Sequence, residues 1–503
     1  MRERERALPA LLGGATTLLH LLTASDSYGI FRDELYYAAC AEHLDFGYVD
    51  HPPLVALLTA LSRGILGESQ LALRALPAVA AGATVMLAAL IVRELEGSRT
   101  AQALGAAATA LAPVYVGNFG YLSMNAYDIL IWTSITWVMV RLLRTRDPRW
   151  WIPFGVLAGV GLQNKLSILF LGFGLVAGLV LTRDWTQLAD RRFWIGGAIA
   201  LAIFSPHLIW QLVHGWPTLE FMHNATQYKN LPLSPVDFLS SQVLMMNPLA
   251  VPVALAGLAF TLFSRDGRPF RALGWCFIAV TVLMISQRSK AYYLSPAYTM
   301  LFAPGAVMIG RLPRWRWVGP LSIGLLVLSG LALAPLAKPV LPMERFVAYQ
   351  AFLGRKPSSG ERKEIGRLPQ FFADRLGWRE LAESVREVHD ALPEADKRRA
   401  CVFGQNYGHA AAIDFHGPAL GLPAALSGHN SYHLWGPRGC SGEVMIVIDD
   451  DRESLESVFE SVEQAGLYAC DDCMPYESRK PIWVCRGMRI PLEDLWPRLK
   501  HYD

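Results

Sequence analysis

Two short polar segments near the start of the chain hold residue types that could carry out acid–base chemistry. One runs from Arg32 to Tyr37 (RDELYY) and the other from Tyr48 to Pro53 (YVDHPP). A carboxylate within hydrogen-bonding reach of an acceptor hydroxyl can take its proton. Each segment also fits a structural role. Carboxylates suit the first turn of a helix, and Asp50 with His51 before Pro52 suits a helix N-cap.

Further polar residues occur at the ends of later apolar stretches. They are Asn125, Asp128, Asn164, Lys165, His207, Gln211, His214, Arg288, Lys290, Tyr292 and Tyr293. Charges near a membrane are costly, so a cluster of them on one face is a functional-site hypothesis. A lone histidine such as His207 is more often a satisfied interior residue than a catalyst. Carboxylates and cations around one cavity would suit moving an anionic leaving group away from an acceptor hydroxyl.

The composition indicates that membrane-spanning helices position these residues. Of the 503 residues, 52% are hydrophobic and 18% are charged, whereas a soluble domain carries about 25% charged residues. Residues 1–338 have a net charge of +8 and residues 339–503 have a net charge of −5. Because no stripe of Lys and Arg recurs at helical spacing, we exclude nucleic acid as a partner.

Eleven apolar stretches come close to the length needed to cross the hydrocarbon layer, about 20 residues for a helix. They are residues 8–25, 71–92, 100–117, 124–143, 150–163, 166–182, 194–212, 238–263, 272–287, 295–310 and 317–336. The first lacks a small-residue cleavage site before Asp26, so we expect an anchor rather than a cleaved signal. Residues 52–66 are apolar but short and contain Arg63, which predicts an interfacial helix on the outer face.

Basic residues occupy alternate loops, and this parity sets the predicted orientation, because short loops rich in Lys and Arg stay in the cytoplasm. The basic groups are Arg2, Arg4 and Arg6; Arg93 and Arg99; Arg141, Arg144, Arg146 and Arg149; Arg183, Arg191 and Arg192; Arg265, Arg268 and Arg271; and Arg311, Arg314 and Arg316. We therefore expect a multi-pass protein of the cell (inner) membrane. Its N-terminus is predicted to be cytoplasmic, and Lys165 and residues 339–503 extracytoplasmic.

Residues 339–503 are predicted to form a soluble α/β domain after a transmembrane domain at residues 1–338. An amphipathic stretch at 371–392 is followed by β-branched runs at 444–448 and 481–484. Five of the seven cysteines lie here, where an oxidising compartment permits disulfides: Cys401, Cys440, Cys470, Cys473 and Cys485. The pair Cys470 and Cys473 is compatible with one end of a disulfide, with zinc binding or with free thiols.

Four of these segments, taken in order, resemble the dolichyl-phosphate-mannose protein mannosyltransferase family and its bacterial relatives, which include the lipid A aminoarabinose transferases. They are Asp33-Glu34 with the following tyrosines, DHPPL from Asp50, MNAYD from Met124 and KAYYLSP from Lys290. The resemblance covers residues 1 to about 310. It implies an α-helical polytopic membrane protein with the C-type glycosyltransferase fold. It also implies a polyprenyl-phosphate sugar donor and transfer on the outer face with inversion.

The resemblance also implies roles for single residues. Asp33 corresponds to the acidic residue that acts as general base or orients the acceptor, Glu34 lies beside it, and Asp50 matches a second acidic position. The implied contacts to the donor phosphate are His51, Lys165, Arg288, Lys290 and Tyr292. The implied contacts to acceptor or sugar are Tyr36, Tyr37, Asn125, Asp128 and His207. Asn125 stands where other branches have Asp. No cofactor is required, although Asp33 and Asp50 could share a divalent cation.

Two other functional classes are alternatives to a glycosyltransferase. A membrane transporter or lipid flippase also has many spans and intramembrane charges, but here the ionisable residues concentrate at outer loop ends. A non-catalytic receptor or scaffold would not need the intact Asp33-Glu34 and Lys290-Tyr292 segments. We therefore expect an enzyme that moves a hexosyl or pentosyl group from a lipid-linked donor in the bilayer to a hydroxyl acceptor on a protein, lipid or glycan.

Overall fold

Among the residues described by the computed structural model, which are 2–25, 27–312 and 317–503, the chain forms two compact units. The first unit comprises Met1–Asp26, Ser62–Ile209 and Pro232–Leu341; the second comprises Ser27–Leu61, Trp210–Leu231 and Pro342–Asp503. The predicted basic side chains of Arg2, Arg4, Arg6, Arg314 and Arg316 lie outside the described part. The predicted division at residue 338 stays a prediction.

The first unit is built from helices. Their bounds are Arg2–Leu22, Gln70–Glu94, Arg99–Ala110, Pro113–Asn118, Met124–Thr145, Trp151–Leu162, Ile168–Leu181, Trp185–Ala189, Arg191–Val213 (which runs into the second unit), Pro235–Met245, Val251–Phe263, Arg271–Ser286, Thr299–Gly310 and Val318–Ala337. Within the described ranges, five helical segments are long and apolar enough to cross a membrane: Gln70–Glu94, Met124–Thr145, Arg191–Val213, Arg268–Ser286 and Val318–Ala337.

Each predicted apolar stretch contains helix, but two of them are broken. Residues 100–117 divide just before Pro113, which has no backbone N–H to continue the helix. Residues 238–263 divide at Asn247, whose φ of 72° lies in the left-handed region, and Pro248 follows it. Residues 52–66 contain the short apolar helix Leu54–Leu66. How many of these helices cross the bilayer stays a prediction.

Close helix packing in the first unit depends on glycine. A Cβ atom added to Gly257 would collide with the backbone carbonyl of Leu301, and one added to Gly305 would collide with that of Val253. The helices Val251–Phe263 and Thr299–Gly310 therefore pack backbone to backbone. Small residues allow this approach, and in a membrane such van der Waals packing replaces the hydrophobic driving force that lipid does not supply.

The second unit joins a mixed sheet to short helices. The helices are Arg32–Glu42, Leu54–Leu66 (which ends in the first unit), Pro217–Asn224, Met343–Phe352, Gln370–Ala373, Trp378–Asp390, Glu394–Lys397, Tyr407–His416, Ser431–Leu434, Arg452–Val458 and Leu492–Leu495. In the continuously described residues 317–503 the sheet has five strands in the order β2-β1-β3-β5-β4. They are β1 (Ala400–Gly404), β2 (Ala425–Leu426), β3 (Val444–Ile448), β4 (Phe459–Tyr468) and β5 (Lys480–Met488).

Strand β1 pairs in parallel with β2 and β3, whereas β5 pairs antiparallel with both β3 and β4. The two predicted β-branched runs lie in β3 and β5. The predicted amphipathic helix at 371–392 is broken, because Gly377 adopts a φ of 86° before Trp378–Asp390 begins. A side chain there would collide with the Tyr468 hydroxyl, so the break needs glycine.

The cysteines of the second unit fall into two chemical states. Cys401, on β1, forms a disulfide with Cys440. The other cysteines of the unit, Cys40, Cys470, Cys473 and Cys485, form no disulfide. Of the alternatives that the Cys470-x-x-Cys473 spacing allows, a disulfide is therefore absent from the structure, and zinc binding stays a prediction.

The glycine contact predicts a difference between two Gly→Ala variants. Gly305→Ala should lower the free energy of unfolding by about 1–3 kcal/mol, because overpacking forces the backbone apart. Gly324→Ala is the matched control, since nothing lies within 4 Å of a Cβ there; it should be neutral or stabilising by up to about 1 kcal/mol. Thermal unfolding in detergent measures both, and equal effects would contradict the packing.

Candidate active site

The predicted carboxylates Asp33 and Glu34 lie in the first turn of helix Arg32–Glu42, in the second unit, but in different environments. Glu34 is 0% exposed, and its Oε2 accepts a hydrogen bond from the Phe31 N–H at 2.9 Å. It therefore caps the helix by satisfying a free N–H group. The side chain of Asp33 is 37% exposed, and its Oδ1 accepts a hydrogen bond from the Tyr407 hydroxyl at 2.9 Å. Of the two, Asp33 is the accessible carboxylate.

Arg32 carries a buried positive charge beside these carboxylates. Its Nη1 donates to the Tyr476 hydroxyl at 2.8 Å. Carboxylate oxygens of Asp374 and Glu477 each lie 3.9 Å from its guanidinium. Burial raises the pKa of Asp374 to about 7, although Arg32 opposes the rise. Burial would also raise the pKa of Glu477, but His409, at 2.8 Å, and Arg32 together hold it below its usual value.

Asp50 is held by a tyrosine and a serine. The Tyr36 hydroxyl donates to Asp50 Oδ1 at 2.8 Å, and the Ser431 N–H donates to the Tyr36 oxygen at 3.2 Å. The Ser431 hydroxyl oxygen lies 2.8 Å from the same atom. Burial raises the pKa of Asp50, and the charge of Asp33 adds to the rise. The structure thus places Asp33, Tyr36 and Asp50 close together, and their roles in catalysis stay predictions.

Tyr37 and His51 lie in the interior of the same unit. His51 is 0% exposed, and its Nδ1 donates to the Pro52 carbonyl at 2.8 Å. Its Nε2 is 3.7 Å from the Cys40 sulfur. Its ring stacks on Tyr48 with centroids 4.6 Å apart and meets the edge of Tyr37 at 5.1 Å. This geometry fits support of the loop better than the predicted contact of His51 with a phosphate.

A second group of predicted residues surrounds Lys165 in the first unit. The Lys165 ammonium donates to Asn125 Oδ1 at 2.6 Å and lies 4.0 Å from Asp128 Oδ2. It also lies 4.7 Å and 5.7 Å from the ring centroids of Tyr293 and Tyr292. Burial lowers the pKa of Lys165, Asp128 opposes this, and the charge of Lys290 lowers the pKa further.

The remaining predicted site residues of the first unit differ in burial and in their contacts. Asp128 is buried and accepts a hydrogen bond from the Ser167 hydroxyl at 2.5 Å. His207 is buried within helix Arg191–Val213, 5.4 Å from the Phe204 ring, which fits an interior role. Arg288 is exposed, with a φ of 51°, just after the helix that ends at Ser286. The gathering of the residues of both units around one cavity stays a prediction.

Sequence reasoning missed the partners that residues 339–503, called the tail below, supply to the acidic segments. Tyr407 and Ser431 hold the acidic segments, and His409 and Glu477 belong to the network around Arg32. The signals were present as polar and aromatic residues between strands, NYGH at 406–409 and HNSYH at 429–433. No function could be assigned to Tyr407 and Ser431 from the sequence, because their partners Asp33 and Tyr36 lie more than 350 residues away.

One group of three potential metal ligands occurs among the described residues: His429, His501 and Asp503. Burial lowers the pKa of His429 to about 4, which leaves its ring neutral at pH 7. Asp33 and Asp50 are not part of this group. The divalent cation that they were predicted to share stays a prediction.

The known proteins that the sequence matches are named as glycosyltransferases. Residues 50–210 match the family model described as Dolichyl-phosphate-mannose-protein mannosyltransferase. The chain is also 22% identical over 324 residues to the lipid A galacturonosyltransferase RgtD of Rhizobium johnstonii, which is 62% of this chain and 67% of that protein.

The fold matches solved structures of ArnT from Cupriavidus metallidurans. The structure bound to undecaprenyl phosphate has a TM-score of 0.64 at 16% identity, covering 94% of this chain and 97% of that one. The apo structure has a TM-score of 0.63 at the same identity and coverage. These likenesses confirm the predicted class, a helical polytopic membrane fold.

The buried Asp374 predicts a pH dependence of stability. Its pKa is raised, so the folded state favours the protonated form and its contribution is lost as the pH rises from about 4 to about 7. Asp374→Asn keeps the shape without the charge. Its free energy of unfolding relative to wild type should therefore increase over this window, by at most about 1.4 kcal/mol per pH unit.

Thermal unfolding of the full chain in detergent between pH 5 and pH 8 measures this difference. Glu477, with a lowered pKa, loses its contribution only below its ordinary value of 4.5 and does not interfere. Asp390→Asn, at an exposed position paired with Arg386, is the control and should show no such trend. A difference between Asp374→Asn and wild type that is independent of pH would contradict the assignment.

Proposed function

We propose that the chain is a C-type glycosyltransferase related to ArnT and the dolichyl-phosphate-mannose-protein mannosyltransferases. In this proposal it transfers a sugar from a polyprenyl-phosphate carrier to a hydroxyl acceptor on the outer face of the membrane. The observation that carries the proposal is the accessible Asp33 carboxylate, held by Tyr407. The ArnT structure bound to undecaprenyl phosphate supports a lipid-linked donor.

Asp33 is the proposed general base. The Tyr407 hydroxyl contacts Oδ1 at 2.9 Å, which leaves Oδ2 for the acceptor hydroxyl. A positioned carboxylate that takes the proton as the new bond forms contributes roughly 100-fold to 10,000-fold to the rate. Glu34 has the same chemistry, but its carboxylate is buried and accepts from the Phe31 N–H. We therefore assign Glu34 to the helix cap, and Asp50 with Tyr36 to positioning the acceptor.

Lys165 is the proposed centre of the phosphate contacts. A carrier phosphate leaves with its negative charge, and fixed cations stabilise that charge as it develops, an effect worth several kcal/mol where water is excluded. Lys165 is oriented by Asn125 and lies over the Tyr292 and Tyr293 rings. Lys290 lies near enough for its charge to act on Lys165. The aromatic rings leave the ammonium partly desolvated, which strengthens its attraction for an anion.

The proposed topology places eleven spans between a cytoplasmic N-terminus and an extracytoplasmic tail. Nucleotide sugars are absent outside the cytoplasm, so a sugar used there must arrive on a lipid carrier. A site at the bilayer surface keeps the prenyl chain in the membrane and the head group in water. The acceptor is proposed only as a hydroxyl of a protein, lipid or glycan. The lipid A named for RgtD makes a lipid the first acceptor to test.

A transfer assay separates this function from transport and from scaffolding. Purified protein is mixed with a radiolabelled polyprenyl-phosphate sugar and candidate acceptors, and the release of polyprenyl phosphate is followed. A glycosyltransferase releases the carrier only when an acceptor is present. Movement of intact donor across the bilayer of a proteoliposome, without release, would instead identify a flippase, and binding without either would identify a scaffold.

Asp33→Asn should lower the turnover number by roughly 100-fold or more while leaving donor affinity unchanged. Asn is nearly isosteric and keeps a carbonyl oxygen for the Tyr407 hydroxyl, but it cannot take a proton. Tyr407→Phe should cause a smaller loss, because it removes the partner and leaves the carboxylate. Turnover and donor affinity are measured with purified donor and acceptor.

Glu34→Gln is the matched comparison for Asp33→Asn. An amide can still accept from the Phe31 N–H, so we expect a folded protein with near-native turnover. Near-native turnover of Asp33→Asn together with loss in Glu34→Gln would move the base to Glu34. Near-native turnover of both variants would show that neither Asp33 nor Glu34 is the general base.

Lys165→Met should weaken donor binding by 10-fold or more, since Met keeps the apolar stem and removes only the charge. Lys290→Met should weaken it less, because Lys290 acts on Lys165 through its charge. Lys397→Met, on the exposed helix Glu394–Lys397, is the control. Affinity is measured by titration with polyprenyl phosphate, and unchanged affinity in Lys165→Met would reduce Lys165 to a structural partner of Asp128.

Cysteine labelling tests the proposed orientation. In a background without reactive cysteines, an impermeant thiol reagent should label Ser358→Cys from outside the membrane, because Ser358 is an exposed residue of the tail. Arg268→Cys, exposed in a loop that the charge parity assigns to the cytoplasm, should be labelled only after permeabilisation. The reverse pattern would invert the topology and place the tail in the cytoplasm.

A further inference from the structure

Three side chains of the second unit that the proposed transfer reaction does not use lie close together: His429, His501 and Asp503. Each offers one ligand atom, and these atoms all lie within 4.8 Å of one another. The Nε2 atom of His429 is 3.2 Å from Asp503 Oδ1. We propose that these three residues form a binding site for a divalent transition-metal ion, with Zn²⁺ the best match.

The backbone holds the two histidines side by side. His429 and His501 form a parallel β-bridge. The His501 N–H donates to the Gly428 carbonyl at 3.0 Å, and the Asn430 N–H donates to the His501 carbonyl at 3.0 Å. A Cβ atom on Gly428 would collide with the carbonyl of Leu499, so glycine is what allows the two segments to approach. The two rings lie with centroids 4.4 Å apart.

The ring of His501 is prepared to act as a ligand. Its Nδ1 is 3.0 Å from the carbonyl oxygen of Leu499. Since a carbonyl only accepts, Nδ1 must carry the proton, and in the neutral ring Nε2 then presents its lone pair. A backbone carbonyl is one of the partners that orient metal-bound histidines through their second nitrogen, together with carboxylates and water.

The ring of His429 has unused hydrogen-bonding capacity. It is 7% exposed, and its Nδ1 has no hydrogen-bond partner among the residues the structure describes. In the proposed site Nε2 is the ligand atom, and the unpaired Nδ1 is then the nitrogen that carries the ring proton. Its Nε2 lies 3.1 Å from the main-chain oxygen of Asp503 and 3.2 Å from Asp503 Oδ1, so without metal it donates a proton to these oxygens, and a bound ion would take the place of that proton. Tetrahedral ligand bonds of about 2.1 Å place ligand atoms about 3.4 Å apart, which is close to the 3.2 Å separation observed.

The donor set selects the class of metal. Two imidazoles and one carboxylate suit Zn²⁺ and its transition-metal neighbours, whereas Mg²⁺ and Ca²⁺ prefer oxygen ligands alone. The positive charge of Lys229 also acts on His429 and Asp503. That charge opposes any cation at the site, so the affinity has to come from the bonds of the two imidazoles and the carboxylate to the metal. Three protein ligands leave a fourth position for water.

Metal binding would tie the end of the described chain to the segment that supports the candidate active site. His501 and Asp503 belong to the last residues of the chain, and His429 belongs to the segment between β2 and β3. The His429 ring meets the edge of Tyr407 at 4.9 Å between centroids, and Tyr407 donates to Asp33. The metal site stands whether or not the proposed function holds, because its test uses binding alone.

The test uses the full chain in detergent, purified without a histidine tag and stripped with a chelator. Titration with ZnCl₂ should give one tightly bound equivalent and raise the thermal unfolding midpoint. His501→Ala and Asp503→Asn should each weaken Zn²⁺ binding at least 10-fold and abolish the thermal shift. These two residues are only half-buried, so the variants are expected to fold. His223→Ala, on an exposed helix of the same unit, is the matched control and should bind as wild type does.

Substitution with Co²⁺ identifies the ligands directly. Nitrogen and oxygen ligation gives visible d–d bands, and these should be present in wild type and absent in His501→Ala. A strong sulfur-to-cobalt charge-transfer band would place the metal on Cys470 and Cys473 and overturn the proposal. It would also be overturned by the absence of Zn²⁺ binding in wild type, or by unchanged affinity in both His501→Ala and Asp503→Asn.

Discussion

The buried guanidinium of Arg32 is the charge around which the second unit is organised. A charge taken out of water costs several kcal/mol unless it is paired and hydrogen-bonded. Its partners come from distant parts of the chain: Asp374 before the sheet, and Tyr476 and Glu477 between β4 and β5. Because the charge stays satisfied only when these segments are assembled, the helix that begins at Arg32 folds with the tail as one unit. The candidate base Asp33 is the next residue along the helix.

In the first unit, buried charges also need partners, and here the surrounding solvent is lipid. Lipid offers no hydrogen bonds, so a polar side chain among spanning helices needs a protein partner or a functional reason to be there. Lys165 lies in the short connection between Trp151–Leu162 and Ile168–Leu181. Its partners Asn125 and Asp128 come from the start of another helix. The cluster is thus assembled at helix ends, where a lysine can be held without breaking a span.

The sequence was informative wherever the signal is local. The length and composition of the apolar stretches predict helices, and the β-branched side chains of Val444–Ile448 predict strand β3. The Lys165 cluster could be anticipated because its members lie at the ends of such stretches. Breaks inside elements were harder, since the left-handed Asn247 and Gly377 are set by packing. The disulfide joins Cys401 and Cys440, 39 residues apart, and no pattern marks that pair, whereas the conspicuous Cys470-x-x-Cys473 spacing carries thiols.

Partners that are distant in the sequence could not be predicted, because no local pattern marks them. These partners determine which of Asp33 and Glu34 is the candidate base. The two residues are adjacent in sequence and chemically alike, so propensity and periodicity treat them equally. On the first turn of a helix, however, successive side chains point about 100° apart. One carboxylate turns back to the Phe31 N–H and is buried, while the other faces Tyr407 and solvent. A capping carboxylate is already engaged as an acceptor, whereas an exposed one held by a single hydroxyl retains an oxygen for a proton. The different roles of Glu34 as a helix cap and Asp33 as the candidate base therefore follow from the helix geometry and from Tyr407.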